Sequence, residues 1–354
     1  MRQPHIELLR ICAMLLVLIV HTAYFSMGSP TGEMIVCAPV EWTWITFVQS
    51  VSIISVNVFV LISGWFGIRP KVKSLVSFLF QVFFFLVLSF GAMAALGKVP
   101  VSMSNIIKCL TVINTLWFVN AYLLLYIFSP ALNALVEHTD RRTFKRVLIA
   151  FYMLQFVYGW TGLLPMYESG YSALSFVGLY LLARYFKVYQ PKFTKYKQYT
   201  YIFIYMLIAI LLTILGVAIA YLPILCDHVS VVSWTLFAYN SPLVILEACA
   251  FFFIFEKMRL PLHFQRVIVW MSSSSFAVYL LHANPFALSV WYKPVVSELY
   301  QITDWVFVNE ISILAFVMGV FVVAIAIDKL RIVLWNIVWR KMEKPVRKVV
   351  EAVT

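Results

Sequence analysis

Arg10 and His21 stand eleven residues apart in a segment that is otherwise apolar, RICAMLLVLIVH. On a helix, eleven steps of about 100° bring the two side chains to within about 20° of one face, about 16 Å apart along the axis. A guanidinium forks onto phosphate or carboxylate oxygens, and a neutral imidazole accepts a proton near neutral pH. The pair could therefore hold an anionic group at one level and act as a base at another. Glu7, three residues before Arg10, falls on the same stripe and can pair with it. Taken singly, Arg10 also reads as an arginine snorkelling to an interface, and His21 as a polar residue at a boundary.

A second polar stripe lies in SSSSFAVYLLHANP, residues 272–285, where Ser275, Tyr279 and His282 follow i, i+4, i+7 spacing. Such a stripe through an apolar helix implies a cavity or a hydrogen-bonded helix interface; close-packing serines with Tyr279 in an aromatic belt is the plainer alternative. The run TLFAYNSP, residues 235–242, predicts a kinked or broken helix. Pro242 removes a backbone bond, Asn240 and Ser241 can satisfy the freed groups, and Glu247 belongs to the same interior. Trp117, Asn120 and Tyr122, with Asn57 and Ser63, are weaker signals.

The elements that must position these groups follow from composition. The chain has 354 residues, 63% hydrophobic and 12% charged, where a soluble domain carries about a quarter charged residues. That excludes a soluble enzyme, a disulfide-rich secreted module and a disordered chain. The pattern predicts an all-α polytopic membrane protein with ten transmembrane helices, at 6–27, 43–66, 73–96, 116–136, 146–164, 170–186, 200–222, 230–255, 266–286 and 306–328. With both termini cytoplasmic, 24 of the 27 Lys and Arg fall inside, leaving only Lys98, Lys108 and Lys293 outside. This bias accounts for the net charge of +12 without nucleic acid. Arg10 and His21 interrupt the first apolar segment and no small-residue cleavage site follows, so it is expected to be a retained span rather than a signal peptide. Short connections predict one integral-membrane domain over residues 1–354. The five cysteines make no framework, although one disulfide among Cys37, Cys109 and Cys226 is chemically permitted. No metal-ligand spacing occurs, so no metal is expected.

The residues resemble the acyltransferase-3 family of membrane-bound O-acyltransferases. The family's first-span signature is an arginine and a histidine separated by ten residues, here Arg10 and His21, preceded by ELLRI with Glu7 where aspartate is more usual. NVFVLISGWF (57–66), LWFVNAYLLLYIFSP (116–130) and SSFAVYLLHANP (274–285) resemble later family segments in the same order. The resemblance implies acyl transfer, usually of acetyl, from cytoplasmic acyl-CoA to a hydroxyl of a carbohydrate or other acceptor at or beyond the outer face. The setting it implies is a bacterial inner membrane, with acyl-CoA as co-substrate and no further cofactor. His21 corresponds to the catalytic histidine, with Glu7 counted beside it, and Arg10 to the paired arginine.

On that basis Arg10 and the basic loop Arg69, Lys71 and Lys73 are expected to hold the CoA phosphates, unless Arg10 serves only to pair with Glu7. The pantetheine arm would then reach up to His21. Tyr279, His282, Asn120 and Trp117 are expected to position the acceptor or the developing oxyanion. A transporter for small molecules or lipid-linked sugars is the competing reading, since it too would show intramembrane charge, a broken helix and short loops; a sensor or scaffold is a third.

Overall fold

The structure is a computed structural model that describes residues 3–111 and 116–353, with side chains to residue 343. Among the described residues every regular element is a helix. The first five are α1 (Pro4–Thr22), α2 (Tyr24–Met27), α3 (Gly32–Cys37), α4 (Pro39–Ser52) and α5 (Ser55–Phe66). Then come α6 (Val72–Ala95), α7 (Met103–Leu110), α8 (Trp117–His138), α9 (Arg141–Leu154), α10 (Ala173–Tyr189) and α11 (Gln198–Ala218). The last are α12 (Val229–Leu236), α13 (Pro242–Glu256), α14 (Leu262–Ser272), α15 (Ser275–His282), α16 (Lys293–Leu299) and α17 (Val306–Val353).

Among the described residues, six stretches are long and apolar enough to cross a membrane: Pro4–Met27, Pro39–Phe66, Val72–Ala95, Trp117–His138, Gln198–Tyr221 and Val306–Glu343. Each overlaps one of the ten expected spans. The other four expected spans fall on shorter or interrupted helices. At 146–164, α9 passes into a π-helical turn at Gln155–Gly159, and at 170–186, α10 has 17 residues. At 230–255 and 266–286 the chain breaks into the pairs α12–α13 and α14–α15.

Both breaks have local causes. The first is set by Pro242, which opens α13 where its missing N–H is no loss. The carbonyl freed at Tyr239 is satisfied from another helix, because the Asn57 amide donates to it at 2.8 Å, and Trp160 Nε1 donates to the Thr235 carbonyl at 2.7 Å. Asn240 and Ser241 do not fill this role: their side-chain polar atoms are buried without a hydrogen-bond partner. Glu247 is fully buried, in the interior where its sequence context put it. At the second break the serines turn back onto the backbone. Ser273 donates to the Trp270 carbonyl at 2.8 Å and Ser275 to the Ser272 carbonyl at 2.9 Å. Such bonds compete with the helix and favour its interruption. All five cysteines are free.

α1 is the hub of the bundle, packing against α4, α5, α13, α14, α15, α16 and α17. In contrast, α6, α8, α11 and α17 are mostly unburied and present large apolar side chains outward, among them Ile210 and Ile214. Apolar residues facing outward and polar ones gathered at the hub are the arrangement a bilayer demands. α5 and α10 approach closely at Gly64, where a Cβ would meet the Tyr180 backbone and the Ala183 side chain. Tyr180 fastens the end of this pair: its hydroxyl donates to Asn133 Oδ1 at 2.6 Å and accepts from the Ile68 N–H at 3.0 Å.

Candidate active site

His21 lies near the end of α1, 8% exposed, where the chain turns into α2 and Ser26 Oγ donates to the His21 carbonyl. Its Nδ1 is 2.8 Å from Nε2 of His282 at the end of α15, and His282 Nδ1 is 2.5 Å from the Val278 carbonyl. A carbonyl only accepts, so His282 Nδ1 carries a proton and, in the neutral ring, its Nε2 is a lone pair. His21 must then donate from Nδ1, which leaves the lone pair of its Nε2 free. Edge contact with Phe25 and, for His282, packing on Tyr292 hold the two rings; Tyr292 in turn donates to the Leu18 carbonyl at 2.8 Å.

The face of α1 that carries Arg10, Met14, Val17 and His21 runs past two cavities. Met14, Val17 and His21 line a small one of about 30 Å³, walled also by Trp117, Tyr239 and Tyr279. Arg10 lines a larger one of about 430 Å³, together with Glu7, Ser63, Tyr122, Ser272 and Ser275. The polar stripe of α15 follows the same course: Ser275 faces the larger cavity, Tyr279 the smaller, and His282 touches His21. A third cavity, of about 60 Å³, is lined by Ser29, Gln49, Tyr171 and Trp234 and shares Phe25 with the His21 cavity.

The larger cavity gathers Glu7 with Arg10 and Ser272, not with His21. Fourteen residues of helix put Glu7 about 21 Å from His21 along the axis, so a role for Glu7 in the chemistry at His21 is replaced by one at Arg10. Ser272 Oγ donates to Glu7 Oε2 at 2.6 Å, and Arg10 Nε lies 3.8 Å from the same oxygen without hydrogen-bonding it. The guanidinium side chain is 37% exposed and opens on the cavity.

Trp117 and Tyr279 line the His21 cavity, Trp117 stacked on Tyr239 at 5.8 Å and 4.5 Å from the Tyr171 ring. Asn120 does not line either cavity. It stands two residues beyond Phe118, about 200° around α8, and its Oδ1 is buried without a partner. Tyr122, only about 40° from Phe118, takes the inward position. Arg69, Lys71 and Lys73 are exposed beyond the rim residue Phe66 and do not line the Arg10 cavity. Lys73 Nζ lies 5.2 Å from the Trp339 ring, a cation–π contact that draws it toward α17.

Sequence reasoning passed over the group beside this cavity made by Gln81, Asp328 and Arg331. Gln81 Nε2 donates to Asp328 Oδ1 at 2.9 Å, and Arg331 pairs with the same oxygen at 2.8 Å. An Asp and Arg three residues apart at a span edge was the available signal.

The arrangement is a histidine, bonded to a second histidine, at one cavity and an arginine at the next, both on one apolar helix. A sequence profile of the Acyl_transf_3 family, described as an acyltransferase domain, matches residues 4–328. The chain belongs to that family. As an acyltransferase-3 protein it is a membrane acyltransferase, and the matched region takes in α1 and α15 with both histidines and the arginine. No curated protein and no solved structure matches the chain.

Proposed function

We propose that this acyltransferase moves an acetyl group from cytoplasmic acetyl-CoA to a hydroxyl of an extracytoplasmic or exported glycan, as a multi-pass protein of the bacterial inner membrane. The ten-span arrangement with both termini inside remains the topology that the distribution of Lys and Arg supports. The observation that carries the chemistry is the ordered bond between His21 and His282, which leaves the dyad's free lone pair on Nε2 of His21, a residue that lines the smaller cavity.

His21 Nε2 removes the proton from the acceptor hydroxyl as its oxygen attacks the thioester carbon. The C–S bond then breaks, the acyl ester forms, and CoA leaves as a thiolate that takes the proton back from His21. His282 Nε2 accepts from His21 Nδ1–H throughout and steadies the imidazolium while it exists. The Tyr279 hydroxyl is the proposed donor to the oxyanion. Arg10, held toward the larger cavity by Glu7, grips the CoA phosphates, with Arg69, Lys71 and Lys73 drawing the anion toward the cavity mouth from outside it. Trp117 and the cavity that holds Trp234, Gln49 and Ser29 form the acceptor side.

The test is release of free CoA thiol by purified protein from acetyl-CoA, with and without glycan extract, read against His21→Ala. Release that the glycan stimulates and that His21→Ala loses supports the reading. Equal release by the two proteins, or none by either, overturns it; a transporter would give none.

A further inference from the structure

Three residues line both the Arg10 cavity and the His21 cavity: Phe59 on α5, Phe118 on α8 and Phe276 on α15. They form a partition one side chain thick. Phe118 lies 6.5 Å from Phe59 and 6.1 Å from Phe276 between ring centroids, in the range of aromatic contact. Phe276 is stacked between Phe78 at 5.4 Å and Tyr279 at 5.8 Å. Phe59 and Phe276 are only partly buried, because each borders open space on two sides.

The partition interrupts a polar course. Ser275 on one side and Tyr279 and His282 on the other lie along α15, with the Phe276 ring lodged between them. The spaces on its two sides are also unequal, about 430 Å³ at Arg10 and about 30 Å³ at His21. A single water needs at least about 10–15 Å³, so the His21 side, at about 30 Å³, has room for two or three. That suits a two-carbon acyl group and excludes a long chain.

We propose that Phe59, Phe118 and Phe276 form the aperture through which the acyl end of the donor reaches His21, and that their bulk sets the longest acyl group transferred. This rests on the acyl-transfer reading above. A thioester carried from Arg10 to His21 must pass these rings with its acyl group leading. While the acceptor attacks, the acyl group therefore occupies the small His21 cavity that the same three rings wall, and the pantetheine arm lies between them. The aperture is a specificity device and takes no part in the proton transfers.

The experiment compares kcat/KM for CoA release from acetyl-, butanoyl- and octanoyl-CoA in wild type, Phe276→Ala, Phe59→Ala and the milder Phe276→Leu and Phe59→Leu. The ratio of two donors measured on one sample is independent of how much of that sample is folded. Phe203→Ala, on the exposed side of α11, controls for a general loss of aromatic bulk. Wild type is expected to fall steeply from acetyl to butanoyl. Truncation is expected to raise the butanoyl-to-acetyl ratio by about tenfold or more, the scale on which a pocket discriminates one methylene, with the leucine variants intermediate and Phe203→Ala at the wild-type ratio. Wild-type activity with ratios within twofold of wild type in all four aperture variants overturns the aperture alone. Where an alanine variant does not fold, its leucine counterpart carries the comparison. No CoA release from any donor by wild type overturns the acyl-transfer reading and the aperture with it.

Discussion

His21 and His282, 261 residues apart in sequence, meet nitrogen to nitrogen at 2.8 Å, and the direction of that bond is fixed by a third group, the Val278 carbonyl. Because the carbonyl can only accept, the proton order runs from His21 through His282 to the backbone of α15. The imidazole of His21 on α1 is thus oriented by the helix packed against it.

Under the proposed mechanism this order gives His282 a positioning role, and kinetics can distinguish that from a merely structural one. His282→Ala is expected to lower kcat by about 10²-fold, the lower end of the range for general-base catalysis, with KM for acyl-CoA little changed. His282→Gln can still accept from His21 Nδ1–H through its amide oxygen and should recover a substantial part of kcat. Equal losses in both variants would show that the hydrogen bond is not what matters.

Loss of the base itself should be more severe. His21→Ala is expected to reduce transfer by about 10²–10⁴-fold while acyl-CoA binding, measured by calorimetry, persists. A base works only unprotonated, so wild-type kcat should fall by about tenfold per pH unit on the acid side of the dyad's first protonation. The residual rate of His21→Ala should lack that limb. The midpoint will belong to the coupled pair rather than to either ring.

Close packing of α5 on α10, and its absence on the open face of α17, give opposite predictions for two glycines. Gly64→Ala pushes a methyl into the Tyr180 backbone and should destabilise the protein by about 1–3 kcal/mol. Gly319→Ala, on α17, meets nothing within 4 Å and should be neutral or stabilise by up to about 1 kcal/mol. Thermal unfolding in detergent measures both.

The helical class and the Arg10–His21 stripe were legible because both depend on local periodicity. The α15 stripe was legible for the same reason, and the structure brings Ser275, Tyr279 and His282 along the cavities in order. What sequence could not supply was partnership across helices. Periodicity gives a face but not its neighbour, so His282 was an acceptor candidate rather than the partner of His21. Asn57, which bonds the broken segment at Tyr239, was only a weak polar signal. Asn120 was misplaced for a related reason: polarity at a span entrance marked it out, while the turn of α8 carries Phe118 and Tyr122 inward instead. The phenylalanine partition was invisible because phenylalanine in an apolar span carries no signal at all.

Topology can be tested with cysteines placed where the structure tolerates them, in a cysteine-free background. Gly170 is unsuitable, since its φ is +93° and a Cβ there would crowd Tyr239; Met166, between the fifth and sixth expected spans, and Lys195 are exposed. Under the ten-span arrangement Met166→Cys should react with an impermeant maleimide from outside and Lys195→Cys only after the membrane is opened. The reverse pattern would invert the arrangement.

Arg10 poses the sharpest choice between binding and structure, because it stands beside Glu7 and also lines a cavity. Its Nε lies 3.8 Å from Glu7 with no hydrogen bond, while Glu7 is already served by Ser272 at 2.6 Å. The guanidinium therefore keeps donors for a ligand in the cavity it lines. If that ligand is the phosphate end of CoA, Arg10→Ala should weaken acyl-CoA binding by about 1.5–3 kcal/mol, the worth of a charge-assisted hydrogen bond. Arg10→Lys should restore only part, since an ammonium keeps the charge but loses the fork. If Arg10 serves only to neutralise Glu7, Arg10→Ala should instead lower stability, and adding Glu7→Ala should recover much of it because no buried carboxylate is then left alone. Calorimetry and thermal unfolding on the same three variants separate the cases. A stable Arg10→Ala protein that binds acyl-CoA with undiminished affinity would remove the phosphate role.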